Sequence, residues 1–211
     1  MLHQHKQYNN TSLNRGFTLL ELLVAMGIFT LLIGSVVVIL SDTFKNNTII
    51  SKQLERQTDG RKVLEQVVDD VRRAEQSSIG SYSVEYAGNN ELRFYANLDS
   101  DGYIEKVRYF IDGLEFKKGI IKPSGNPLMY VTSTERIVTL ARNVTNLARS
   151  IYVFSYYDQN YTGSETAMTQ PVTASNVRMI KIFLEMEDNP DKTPIALSVQ
   201  SMAEIRNLKG N

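Results

Sequence analysis

The chain has 211 residues, 42% of them hydrophobic and 22% charged, enough for one folded domain beyond any anchoring segment. Its 23 basic and 23 acidic side chains balance, so no net positive charge recommends nucleic acid as a partner. Cysteine is absent and both histidines lie in the first five residues, which excludes disulfides, Ser-His or Cys-His nucleophile pairs and the usual zinc sites downstream. These absences argue against an enzyme.

Residues 1–16 contain Lys6 and Arg15 and no acid. Leu22 to Leu40 then run for 19 residues without a charge, which as a helix would reach about 29 Å, close to the ~30 Å apolar thickness of a bilayer. The positive-inside rule keeps the basic end cytoplasmic and sends the remainder across. A secretory signal places its cleavage site after the apolar run; here the polar break Arg15-Gly16 comes before it, so cutting there would leave the span attached. Glu21 stands at the edge of this span, where an unpaired carboxylate is costly and a partner is expected.

The run GFTLLE, residues 16–21, resembles the type IV prepilin motif. That resemblance implies a leader of residues 1–16 removed by prepilin peptidase between Gly16 and Phe17, and N-methylation of Phe17. It also implies an assembly role for Glu21, whose carboxylate meets the α-amino group of a neighbouring subunit's Phe17. The implied partners are other pilin or pseudopilin subunits, the inner-membrane assembly platform and the membrane itself. Loss of Lys6 and Arg15 with the leader would leave 21 basic against 23 acidic side chains. The resemblance has departures: Val38 stands where many major type IV pilins carry a helix-kinking proline, and the C-terminal loop disulfide of many pilins is missing.

Residues 17–40 are the expected transmembrane half of a long helix and residues 41–76 its amphipathic half. Phe44, Ile50, Leu54, Leu64, Val67, Val68, Val71 and Ala74 recur mostly at helical spacing, which predicts one inward face. Arg61 with Glu65 and Asp69 with Arg73 are four apart, suited to surface pairs. Gly27, Gly34, Asn46, Asn47 and Gly60 are expected weak points of the helix. Gly27 and Gly34, seven apart, are equally consistent with a close helix contact and with incidental small residues.

Residues 80–211 read as a β-rich globular domain. Alternation predicts strands at Ser81–Ala87, Glu91–Leu98, Tyr103–Ile111 and Leu114–Ile121, an antiparallel meander punctuated by GNN, DSDG and DG turns. Further strands are expected at Glu135–Leu140, Ser150–Tyr157, Val177–Glu187 and Ile195–Ile205, with Asp158–Ser175 the most exposed loop. The expected fold class is therefore α+β, a long N-terminal helix packed on antiparallel sheet in the manner of a pilin. Within this region LDSDGYIEKVRYFID, LARNVTNL, SIYVFSYYD and EIRNLK resemble the large minor pilins of the PilW type and the J-type pseudopilins of type II secretion. The function so implied is a structural minor pilin or pseudopilin near the tip of a filament, priming its assembly; the alternative is a tip adhesin or a competence pilin that captures DNA.

Two patterns invite a ligand. Asn97, Asp99, Asp101 and Gly102 repeat the first half of a calcium loop, and Glu105 adds a fourth oxygen side chain, but Arg108 occupies the place of the closing glutamate. A DG-type hairpin turn accounts for the same residues, so no cofactor is required and calcium is the one candidate. Tyr152, Phe154 and Tyr156 share one strand face, where packing into a core is commoner than a stacking surface, and no basic stripe accompanies them.

Overall fold

The structure is a computed structural model that describes residues 16–187 and 196–205. The leader before Gly16, Ile195 and the final RNLK residues lie outside the described residues. The chain divides into two compact units, residues 1–48 and residues 49–211. One helix, α1 (Leu19–Arg72), supplies residues to both.

In the first unit α1 is charge-poor and none of its 29-residue apolar segment, Leu19–Asn47, is buried within the chain. Its hydroxyls are satisfied locally: Thr30 Oγ1 donates to Gly27 O at 2.8 Å, Ser35 Oγ to Leu32 O at 2.7 Å and Thr43 Oγ1 to Ile39 O at 2.8 Å. Such back-bonding lets a polar side chain sit in an apolar surrounding without an orphaned donor. The helix is continuous through Gly27, Gly34, Asn46, Asn47 and Gly60.

In the second unit the inward face of α1 is shorter than the periodicity predicts. Val63, Leu64, Val67, Val68, Val71 and Ala74 are buried, whereas Phe44, Ile50 and Leu54 are exposed. Burial starts at Gly60, for which a built Cβ would stand 2.6 Å from Met186 Cε and 3.1 Å from Val199 Cγ2. Gly60 is thus a point of close approach, where a side chain would collide. The surface pairs also shift: Asp69 meets Arg72 at 3.8 Å and Lys62 meets Asp59 at 3.7 Å, both three residues apart and both solvent-exposed. Pairs of this kind contribute little.

The helix ends earlier than Gln76 because its last amides find other partners. Arg73 N is shared between Asp69 O and Asp70 O, Ala74 N tightens onto Val71 O, and Glu75 N donates to Tyr95 O at 2.9 Å. The chain is drawn from helix into sheet.

Two antiparallel sheets follow. The first has the order β1 (Val84–Ala87), β2 (Glu91–Ala96), β3 (Glu105–Asp112), β4 (Glu115–Ile121), β5 (Arg136–Arg142); the second is β6 (Phe154–Tyr157), β7 (Met179–Met186), β8 (Leu197–Glu204). Each sequence-expected strand is present; most are shorter than expected, while β3 and β5 run on to Asp112 and Arg142. At the β3–β4 hairpin Asp112 faces Glu115, and Gly113 at φ +60 takes the left-handed position that a two-residue loop requires. The largest trimming is in β6: Val153 N and Phe154 N both donate to Asn89 O, so pairing in the second sheet starts only at Phe154. Tyr152 is therefore exposed, correcting the expectation that it joins Phe154 and Tyr156 in the core.

Aromatic rings carry the core between the sheets. Phe94, Tyr109, Phe116 and Phe154 follow one another at centroid separations of 6.1, 5.8 and 6.3 Å. The buried face of α1 belongs to the same cluster as these rings. Asn146, fully buried, completes the second sheet: its Nδ2 donates to Phe183 O at 3.0 Å and its Oδ1 accepts from Glu185 N at 2.8 Å. The side chain does what a further strand's backbone would do for β7.

Candidate functional site

The start of α1 is built as a capping box. Thr18 precedes the first helical residue; Glu21 N donates to Thr18 Oγ1 at 3.2 Å, while Thr18 N and Thr18 Oγ1 donate to Glu21 Oε2 at 2.9 and 3.1 Å. Two orphan groups of the helix terminus are satisfied reciprocally. The carboxylate expected to need a partner thus has one within its own chain, and it also complements the positive end of the helix dipole. Gly16 has no heavy atom within 4 Å of a built Cβ, and Phe17 is 90% exposed. Gly27 and Gly34 likewise meet nothing within 4 Å in the single chain.

The β2–β3 turn brings acidic side chains together. Asn97 Oδ1 accepts Ser100 N at 2.7 Å, Asp99 Oδ1 accepts Asp101 N at 3.3 Å and Asp101 Oδ1 accepts Tyr103 N at 3.0 Å, with Ser100 at φ +60 and Gly102 at φ +89 closing the turn. Lys122, following β4, donates its ammonium to Asp99 Oδ2 at 3.1 Å and to Asp101 Oδ2. Glu105, the first residue of β3, is buried and accepts Leu98 N at 2.9 Å through Oε2. Burial raises the Glu105 carboxyl above its ordinary range, and the charges of Asp99 and Asp101 push the same way. The Lys122 hydrogen bond holds Asp101 below the usual carboxylate range, and Asp101 with Asp99 raises the Lys122 ammonium. Arg108 points elsewhere, with a two-pronged bond to Glu135 at 2.8 and 2.9 Å and its guanidinium 3.8 Å from the Phe110 ring centre.

One polar cluster escaped the sequence reading. Asp70, on the core side of α1, accepts the Tyr109 hydroxyl at 2.5 Å and the Lys118 ammonium at 2.5 Å, so one oxygen ties the helix to β3 and β4. Burial, reinforced by the Asp70 charge, pushes the Tyr109 hydroxyl far above its ordinary range. The available signal was an aspartate one residue before Val71 and three after Val67, inside the apolar stripe. Asp70, Tyr109 and Lys118 are buried and joined through one Asp70 oxygen, an arrangement that suits a structural tie between helix and sheet.

Residues 11–37 match the family model of the prokaryotic N-terminal methylation motif. It covers the stretch that includes Gly16, Phe17 and Glu21, and supports a prepilin-type protein that is processed by a prepilin peptidase and anchored by its apolar helix. Proteins with this motif are structural rather than catalytic. No curated protein matches the chain.

Proposed function

We propose that the protein is a minor pilin or pseudopilin, cut between Gly16 and Phe17, methylated on Phe17, drawn from the membrane and built near the tip of a filament whose assembly it primes. The observation that carries this reading is the methylation motif lying across the start of an unburied apolar helix. Catalysis has no place in the mechanism. The apolar half of α1 moves from lipid into contact with the same helix of other subunits, and Glu21 sets the axial step by meeting a neighbour's new Phe17 amine. The β-rich unit, with its resemblance to minor pilins of the PilW type and J-type pseudopilins, caps the assembly instead of repeating along it.

Intact mass of the protein from its native membrane tests the processing step: loss of residues 1–16 and one added methyl on Phe17 are expected. A mature terminus beyond Leu40 would overturn the filament reading, because the span would be gone. For Glu21 the capping geometry supplies a finer test. Glu21→Gln keeps a side chain that a capping box accepts but removes the charge, whereas Glu21→Ala removes both. If Glu21 pairs with an amine, both variants lose out to wild type in competition for incorporation, while membrane insertion and cleavage persist. Full incorporation of Glu21→Gln would show that capping alone matters.

A further inference from the structure

One carboxylate oxygen from each of Asp99, Asp101 and Glu105 lies within 4.8 Å of the others. Oxygens that share a calcium ion at its ~2.3–2.6 Å bond length are separated by no more than about 5 Å, so the three are close enough to share one ion. A second observation points the same way and does not depend on that clustering. Glu105 is only 3% exposed, and while its Oε2 takes the Leu98 amide, its Oε1 is buried without any hydrogen-bond partner. A carboxylate oxygen buried without a donor is a rare and costly arrangement in a folded protein, and one that a bound cation relieves. The Lys122 ammonium is spent on Asp99 and Asp101 and leaves Glu105 Oε1 unmet. Three carboxylates stand against the Lys122 ammonium and the Arg136 guanidinium that lines the same cavity, which still leaves an acidic excess.

We propose that the β2–β3 turn binds a divalent cation of the calcium class through Asp99, Asp101 and Glu105, the ion taking the place of the Lys122 ammonium. The donors are all hard oxygens, which excludes the soft and imidazole-seeking metals, and their irregular placement suits calcium's flexible shell better than magnesium's strict octahedron. Lys122 can leave: its side chain is half exposed on a long flexible stem. Asp99 and Glu105 face a cavity of about 650 Å³ also lined by Leu98, Ile120, Arg136 and Val138, room enough for water to complete the ion's shell. Bound there, the ion fastens the turn to the first residue of β3 and pulls the buried carboxylate into use. The proposal rests on the second structural unit alone and is independent of the filament reading.

The test uses the full chain in detergent, with calcium chloride as the probe and calorimetry and thermal unfolding as readouts. Calcium in the ~10⁻⁴–10⁻³ M range of extracellular modules should bind at one site and raise Tm. Asp101→Asn and Asp99→Asn, both in an exposed turn, should each remove the response while the fold is retained. Lys122→Gln should bind calcium more tightly than wild type, because the competing ammonium is gone; a purely structural ion pair predicts lower stability and no calcium response. Terbium in place of calcium should luminesce through the nearby Tyr103 and lose that signal in Asp101→Asn. No binding at millimolar calcium, or an equal Tm rise from sodium chloride at matched ionic strength, overturns the proposal.

Discussion

Removing Asp70 should be among the most damaging single changes in the β-rich unit. The side chains of Asp70 and Lys118 are 11% and 8% exposed, so Asp70→Leu leaves an ammonium shut away from water without its carboxylate, the Tyr109 ring centre standing 5.7 Å away. Breaking a buried pair from one side costs about 3–5 kcal/mol, a large share of the ~5–15 kcal/mol that holds a domain together. For a unit of this size that is a fall in Tm of roughly 6–20 °C. The double variant Asp70→Leu/Lys118→Met should recover most of the loss, since apolar replacement of both partners removes the stranded charge. Tyr109→Phe, which deletes one hydroxyl and leaves the ion pair, should cost only about 1–3 kcal/mol. Thermal unfolding of the detergent-solubilised chain, followed by near-ultraviolet circular dichroism of the tyrosines, reads all four proteins. The argument fails if Asp70→Leu costs under ~1 kcal/mol, or if the double variant is no more stable than the single one.

Other outcomes follow from the same core. Burial, then the charge of Glu85, lifts the Tyr95 hydroxyl to about 12, and burial raises Tyr109 and Tyr156 as well. Unfolded tyrosines titrate near ~10, so the folded state favours the protonated form: stability is unaffected below that pH and declines as pH rises toward 12. Ultraviolet absorbance should show these tyrosines ionising together with loss of near-ultraviolet dichroism; stepwise ionisation with the fold intact would contradict it. Asn146→Ala strands Phe183 O and Glu185 N and should cost about 1–3 kcal/mol, with hydrogen exchange at the Glu185 amide accelerated above that of the central β7 amides. A fragment beginning near Asn46 should be soluble and folded, while one beginning after Gly80 should aggregate, because Leu64, Val67, Val68 and Val71 each contribute about 1.5 kcal/mol or more of burial. Cooperative unfolding of the shorter fragment would place α1 outside the core.

Where the sequence reading and the structure part, the cause is long-range contact. Helical spacing extends the apolar stripe back to Phe44, Ile50 and Leu54, but spacing says only that these residues share a face, not that anything covers it; covering starts where Gly60 admits Met186 and Val199. Alternation placed Tyr152 with Phe154 and Tyr156, yet Asn89 O captures Val153 N and Phe154 N and decides where β6 begins. In the acidic turn the sequence shows the oxygen donors, whereas the burial of Glu105 and the arrival of Lys122 from beyond β4 depend on how β3 and β4 pair.

By itself, then, the sequence determined the apolar span, the GFTLLE motif and the order of helix and strands, since each is written within a few residues as charge, motif or period. The capping box at Thr18 and Glu21 is equally local, but it was the structure that revealed it, the sequence having pointed Glu21 toward a neighbouring subunit. Only the tertiary structure decided that the strands divide into two sheets, that Asn146 completes the second, and that Asp70 meets Tyr109 and Lys118 across separations of 39 and 48 residues. Periodicity encodes local backbone geometry; partners that far apart are selected by register and by the balance between desolvation and pairing, which no local pattern carries.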